Sequence, residues 1–551
     1  MPVMAFYASA LLLSLALPLL AAAQSTLTKP AASERIGIVN FANSCAPSQQ
    51  ASFNRAVALL HDFTYQEAQS QFERIAQADP ACAMAHWGIA MTQFHQIWNR
   101  PDEKATTLGW SELEKAESPA AKTDREREYI AALRNFYRPG NQEYLARVDA
   151  YSLAMDQLFS HYPNDVDAGA FYALSLLADE PPSDTSLAHE QQALLVLNRL
   201  SAKYPEHPGV AHYTIHACDN PALALKGLNA ARRYGEIAPD TAHSAHMPSH
   251  IFARLGMWQE DIHSNLNAVA AGQRALENHQ SSGFDQLHSY DFLLYAYLQS
   301  GQDTPARQIL QNSSSLLTHM ESMPEMGGGM DMSVMLPMYR SKLPIFYNLE
   351  MRNWNAAAAL QPAPDTPPII ATLIYWARII ADGHLHQSQA AQADLARYDA
   401  LIREVKQSKD AFMLDSTGSK IEEDEVAAWT ALAEGNNDKA LSTMRKAADL
   451  QDKVGQSEVD IPAREMLADM LLDLHRPQEA LAEYDTALKM SPNRFNALYN
   501  AGSAAEMIGD KEKATKYYSA LLKNTDNGAH SERVEFARVK TFLSSTQAML
   551  R

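Results

Sequence analysis

Eight residues between positions 212 and 291 have the types and spacing to hold a metal ion: His212, His216, Asp219, His243, His246, His250, His288 and Asp291. His212 and His216 stand four apart and share a helical face, and Asp219, three residues further on, can join it. At ~100° per residue, His243, His246 and His250 fall within ~60° of arc on one helix. Pro248 opposes that helix, because it disfavours helical backbone at Met247. A helix starting at Pro248 would leave His243 and His246 on its lead-in loop, losing the arc but keeping the proximity. Imidazole and carboxylate at helical spacing suit zinc, copper or iron. Two histidines four apart on one helix is also an arrangement that zinc enzymes use. Two other roles stay open: a polar groove that takes a peptide or ligand, and hydrogen-bonded histidines with a purely structural task.

A second group of donors is soft. Met320, Met323, Met326, Met330, Met332, Met335 and Met338 crowd together, interrupted by Pro324, Pro337 and Gly327-Gly328-Gly329. Thioethers select Cu(I), so the segment suggests copper capture; the alternative is an apolar Met-rich loop lying over a groove. His86, His95 and Trp98 are weaker candidates to extend the site. Glu422-Glu423-Asp424-Glu425 reads as the acidic first turn of a helix. No P-loop, dinucleotide fingerprint or nucleophile elbow occurs, and the catalytic residues of any enzyme here are unknown. A metal-dependent enzyme would need an open metal position and a nearby acid or base, for which Asp219 or Asp291 would serve.

Helices must position these residues. Ala480 and Ala514 are 34 apart, as are Tyr484 and Tyr518, and the turns at His475-Arg476-Pro477 and Gly509-Asp510-Lys511 share that offset. A 34-residue helix–turn–helix period with small residues at the crossing point resembles the tetratricopeptide repeat family. Other units are marked by Tyr65 to Asp79-Pro80, by Gly256, Gly301, Asn353-Trp354 and Asp382-Gly383, and by Glu425 to Ala448 with its turn at Gly435. No alternating β pattern occurs. The expectation is an all-α solenoid of such helix pairs, in one or two blocks. Residues 24–318 would form an N-terminal block, 319–337 a Met- and Gly-rich loop, and 338–551 a C-terminal block. Taking Gly256 and Gly301 as equivalent maps His243 onto His288 and His246 onto Asp291; a 34-residue offset maps His212 onto His246 and His216 onto His250.

More specific strings are His212-Tyr213-Thr214-Ile215-His216-Ala217-Cys218-Asp219, His246-Met247-Pro248-Ser249-His250-Ile251-Phe252-Ala253-Arg254-Leu255-Gly256 and His288-Ser289-Tyr290-Asp291, with Asp79 to Ala85 running into Trp87-Gly88. These are similar to a group of secreted bacterial tetratricopeptide proteins without an established activity. The resemblance implies the fold and export but no mechanism. In the tetratricopeptide family the first helices line the concave surface, which implies that the eight residues converge on an inner groove. That groove would hold copper or zinc around a common point, or receive a protein or peptide partner.

Export has its own signs. Leu11 to Leu20 is an apolar run that ends in Ala21-Ala22-Ala23 before Gln24-Ser25, so residues 1–23 read as a signal peptide cut after Ala23, although no Lys or Arg precedes the run. The mature protein would be periplasmic or secreted, with no further membrane span. Disulfides persist in such compartments. Cys45 and Cys82, 37 residues apart, could be bridged with Cys218 free, or all three could be buried thiols. The chain of 551 residues is 46% hydrophobic with net charge -19 and no basic stripe, a balance that disfavours nucleic acid as a partner.

Overall fold

Small residues at helix crossings and left-handed turns between helices convert the repeat into antiparallel pairs. The computed structural model describes residues 34–97, 100–117, 122–140, 143–179, 184–278, 283–322, 332–408, 410–456 and 459–549. No strand occurs among them, and the all-α architecture expected from the 34-residue period is what forms. Ala463–Asp473 pairs with Pro477–Met490, and Phe495–Met507 with Lys511–Asn524. Ala480, Ala514, Tyr484 and Tyr518 are fully buried. Gly502 shows how closely the helices approach: a Cβ there would lie 2.4 Å from the Tyr518 ring. At the turns, Gly435 and Gly509 take φ of 77° and 78°, and His475 takes the same left-handed conformation at 55°.

Two segments differ from the sequence reading and a third refines it. Glu422 to Glu425 lies inside helix Thr417–Ala433, which Ser416 caps by accepting the Ser419 N–H; Glu425 is buried on the indole N–H of Trp376. Asp382-Gly383, which marks a repeat unit in the sequence, lies inside helix Pro368–His384, where Gly383 packs on Trp429; the turn of that unit comes later, at His386 with φ 53°. Pro337 sits inside helix Met332–Glu350 instead of ending one. Burial of Pro337, Tyr339 and Leu343 offsets the backbone hydrogen bond that a proline removes. The described parts of the segment 319–337, up to Glu321 and from Met332, are therefore helical. The expected signal peptide, Trp98, Met323, Met326, Met330 and the three glycines from Gly327 lie outside the described residues.

Cys45 and Cys82 form a disulfide with Cα atoms 4.5 Å apart, and Cys218 is a buried free thiol. Arg35–Arg551 form one unit, in which the central helices pack against the C-terminal ones. Gly256 has φ of 62°, and a Cβ there would meet the Pro492 carbonyl at 2.2 Å. Along the same seam the Trp258 indole N–H donates to Asn493 O at 2.9 Å, and the Phe495 N–H donates to Gln299 Oε1 at 2.9 Å. The buried guanidinium of Arg494 donates to Glu465, Glu350 and the Tyr295 hydroxyl. A buried charge is tolerable only with partners of this kind.

Candidate metal centre

Three stretches of helix bring the histidines in. Pro208–Ala217 starts with Pro208 in its first turn, where a missing N–H costs nothing, and carries His212 and His216 one turn apart. Ala242–His246 carries His243 and His246, and Pro248–Arg254 carries His250. Met247 joins these two short helices with helical backbone (φ -51°, ψ -36°) despite the following proline. His243 and His246 thus stand on a helical turn of their own instead of a loop. Phe284–Gln299 supplies His288 and Asp291.

The six imidazoles gather as two sets, not around the one common point expected from the repeat offsets. In the first, His212 Nε2 lies 3.1 Å from His243 Nε2 and 3.0 Å from His216 Nε2. In the second, His246 Nε2 lies 3.0 Å from His250 Nε2, and His288 completes the group. Within each set, ligand atoms from the three residues all lie within 4.8 Å of one another. Three nitrogens at 2.0–2.1 Å around a tetrahedral ion would be about 3.3 Å apart, so the close pairs need to open by only a few tenths of an ångström.

The far side of each ring fixes which nitrogen faces inward. His212 Nδ1 donates to the His61 carbonyl at 2.6 Å. His250 Nδ1 donates to Asp219 Oδ2 at 2.8 Å. His246 Nδ1 donates to Asn265 Oδ1 at 2.6 Å, and Asn265 is oriented by its own amide N–H, which donates to Asp261 O at 3.1 Å. With the proton on Nδ1, the lone pair of each ring sits on Nε2. In that tautomer, His246 and His250 turn the lone pairs of their Nε2 atoms toward each other across 3.0 Å. Burial pushes the His212 imidazolium down to about 3 and that of His243 well below its usual range, so both rings are neutral at ordinary pH. Neutral imidazole is the metal-binding form.

The walls are aromatic. Phe63 packs on His212, His216 and His243 with centroids at 4.4–5.6 Å, and Phe292 packs on His246, His250 and His288 at 4.7–5.4 Å. His212, His243, His246 and His250 are buried, whereas His216 and His288 are half-buried. The residues expected to line an open groove are mostly enclosed between helices.

The two carboxylates stand behind the histidines. Asp219 belongs to neither ligand group: besides His250 it accepts from Arg254 Nε at 2.9 Å. Asp291, also in neither group, accepts from Lys342. His86 donates to Glu112 at 2.7 Å, while His95 donates to Thr92 O at 3.1 Å and stacks on Tyr65. Met320, Met332, Met335 and Met338 pack with the apolar cluster around Leu287 and Phe292. The roles of His61, Asn265 and Phe63 had no signal in the sequence, since each meets its histidine across helices, and Arg254 acts through Asp219, which lies outside its helix. A third group, His61, Asp167 and His207, was also missed. Asp167 Oδ1 accepts from both rings, at 3.1 and 3.2 Å, and burial lowers His61 to about 4.

Residues 465–529 match the tetratricopeptide repeat family model, so this part of the chain is of tetratricopeptide type. Among curated proteins, none matches the sequence. Similar solved structures include the human IFIT1 dimer with PPP-AAAA (11% identity, 84% of this chain, 94% of that one, TM-score 0.37). Yeast Tom70 is 14% identical over 85% of this chain and 96% of its own, with a TM-score of 0.32. The P58(IPK) TPR domain is 13% identical over 91% of this chain and 99% of its own, with a TM-score of 0.20. The fold stands on the chain's own helix pairs, not on these superpositions.

Proposed function

We propose that this is an exported helical-repeat protein that binds a transition metal, copper or zinc, through its paired histidine sets. The facing lone pairs of His246 and His250 carry the proposal. Two acceptors at that distance repel unless a cation lies between them. Burial works against a proton in this role, because the ring would have to become a buried cation, and only His250, through Asp219, has a carboxylate shown against it. A metal ion shared among three nitrogens spreads the same charge. The leader-like sequence and the Cys45–Cys82 bridge support export, since disulfides persist outside the reducing cytosol. To test binding, zinc and copper are measured in full-length protein purified from the periplasm or medium, beside the His246→Ala/His250→Ala variant. Metal in the parent chain and its loss from a still-helical variant is the expected outcome; equal content in both defeats the proposal.

A second role has its own support. The tetratricopeptide match at 465–529 favours a scaffold for a protein or peptide partner, with the histidine centre as one element of a repeat surface. Capture of a defined partner that depends on residues 465–529 and not on His246 or His250 would favour the scaffold as the primary function.

A further inference from the structure

We infer that the two histidine sets form one binuclear centre that fills in order, with the ion of His246, His250 and His288 bound first and that of His212, His216 and His243 second and more weakly. This rests on the metal-binding proposal above and extends it to stoichiometry and coupling.

The first ground is adjacency. The rings of His216 and His250, and those of His243 and His246, have centroids 6.4 Å apart, so the two sets share two ring contacts. The short helix Ala242–His246 makes this possible: it carries His243 and His246 on one turn, each facing a different set, and Met247 joins it to the helix of His250.

The second ground is charge. Two cations at this separation repel, and the surrounding Phe63 and Phe292 supply little screening. The first ion must therefore weaken the second. Asp219 decides which set goes first. Its carboxylate accepts from the Nδ1–H of His250, which raises the basicity of Nε2 and places a negative charge behind that set. In the other set, His212 has the neutral carbonyl of His61 in the same position. Arg254 takes the second oxygen of Asp219 and fixes its orientation.

Three nitrogens per ion also leave a fourth position on each for water or an exchangeable donor, as in zinc sites with three protein ligands. His216 and His288 are the half-buried members of the two sets.

The full-length chain, stripped with a chelator, is titrated with Zn²⁺ by calorimetry, with metal analysis at saturation. The same protein loaded with two equivalents of Cu²⁺ is examined by electron paramagnetic resonance. The expected result is two ions per chain with dissociation constants more than about tenfold apart, and a half-field transition from two interacting copper centres. His288→Gln should weaken the tight step and His216→Gln the weak one; both are half-buried positions, and circular dichroism checks that each variant is folded. Asp219→Asn should narrow the gap between the steps. One ion per chain, or two ions of equal affinity with isolated copper spectra, overturns the binuclear centre while leaving metal binding intact. No bound ion overturns metal binding itself.

Discussion

Asp219 accepts from His250 Nδ1 through one oxygen and from Arg254 Nε through the other, at 2.8 and 2.9 Å. His250 and Arg254 are one helical turn apart on Pro248–Arg254, so one carboxylate aligns a ring and a guanidinium from the same face. Asp219 thereby stands behind the group of His246, His250 and His288 and not within it, the position from which a carboxylate would tune a metal ligand without touching the ion.

Removing that carboxylate is expected to weaken zinc binding by roughly 10- to 100-fold without loss of helix. Competition of Asp219→Ala with a zinc chromophore measures it. Unchanged affinity would show that His250 is held in place by its packing alone.

Metal-free protein should lose stability as the medium turns acid. Burial, the largest influence, outweighs the raising effect of Asp167 and brings His61 from its ordinary 6.5 down to about 4. Between those values the unfolded chain binds a proton that the folded chain does not. The native state is therefore fully stable, in this respect, above about 6.5 and loses stability as pH falls toward 4, by on the order of 3 kcal/mol. His212, lowered to about 3, acts in the same direction. Urea midpoints at pH 7.5 and pH 5 give the comparison, and an equal or higher midpoint at pH 5 would contradict it.

The disulfide should be found by non-reducing peptide mapping as Cys45 joined to Cys82. Closing a loop of 37 residues constrains the unfolded chain, so Cys45→Ser/Cys82→Ser is expected to be less stable by about 3–4 kcal/mol. Cys218, buried and with its thiol pushed up to about 12, should react with a thiol reagent only after unfolding. Rapid labelling of Cys218 in native protein would refute its burial.

Gly256→Ala combines two penalties, a left-handed φ and a Cβ driven into the Pro492 carbonyl. The expected destabilisation is at least about 1–2 kcal/mol, read as a lower melting temperature. A neutral result would mean that the seam between the central and C-terminal helices opens without cost.

The 34-residue spacing of Ala480, Ala514, Tyr484 and Tyr518 made the fold legible, because a helix crossing needs small residues at a fixed period. The histidines were legible as a group for a similar reason: repeat offsets carry one helix position onto the next. Their division into two sets was not. It depends on Met247 keeping helical backbone before Pro248, against its local preference, and on contacts across helices such as His212 with the His61 carbonyl, 151 residues away. The buried Glu425 misled for the converse reason, since packing on Trp376 overrides the local end signal.

Arg254 has one more partner. Its guanidinium holds Asp219 and also donates to the backbone carbonyl of Gln456. A single side chain thus spans from the carboxylate behind the histidines to the segment leading into the C-terminal repeats. If a metal binds as proposed, a molecule that docked on those repeats and shifted residue 456 would pull on the group that orients His250, and the grip on the ion would change with it. Linkage runs both ways: whatever such docking does to ion affinity, the ion does in equal measure to docking.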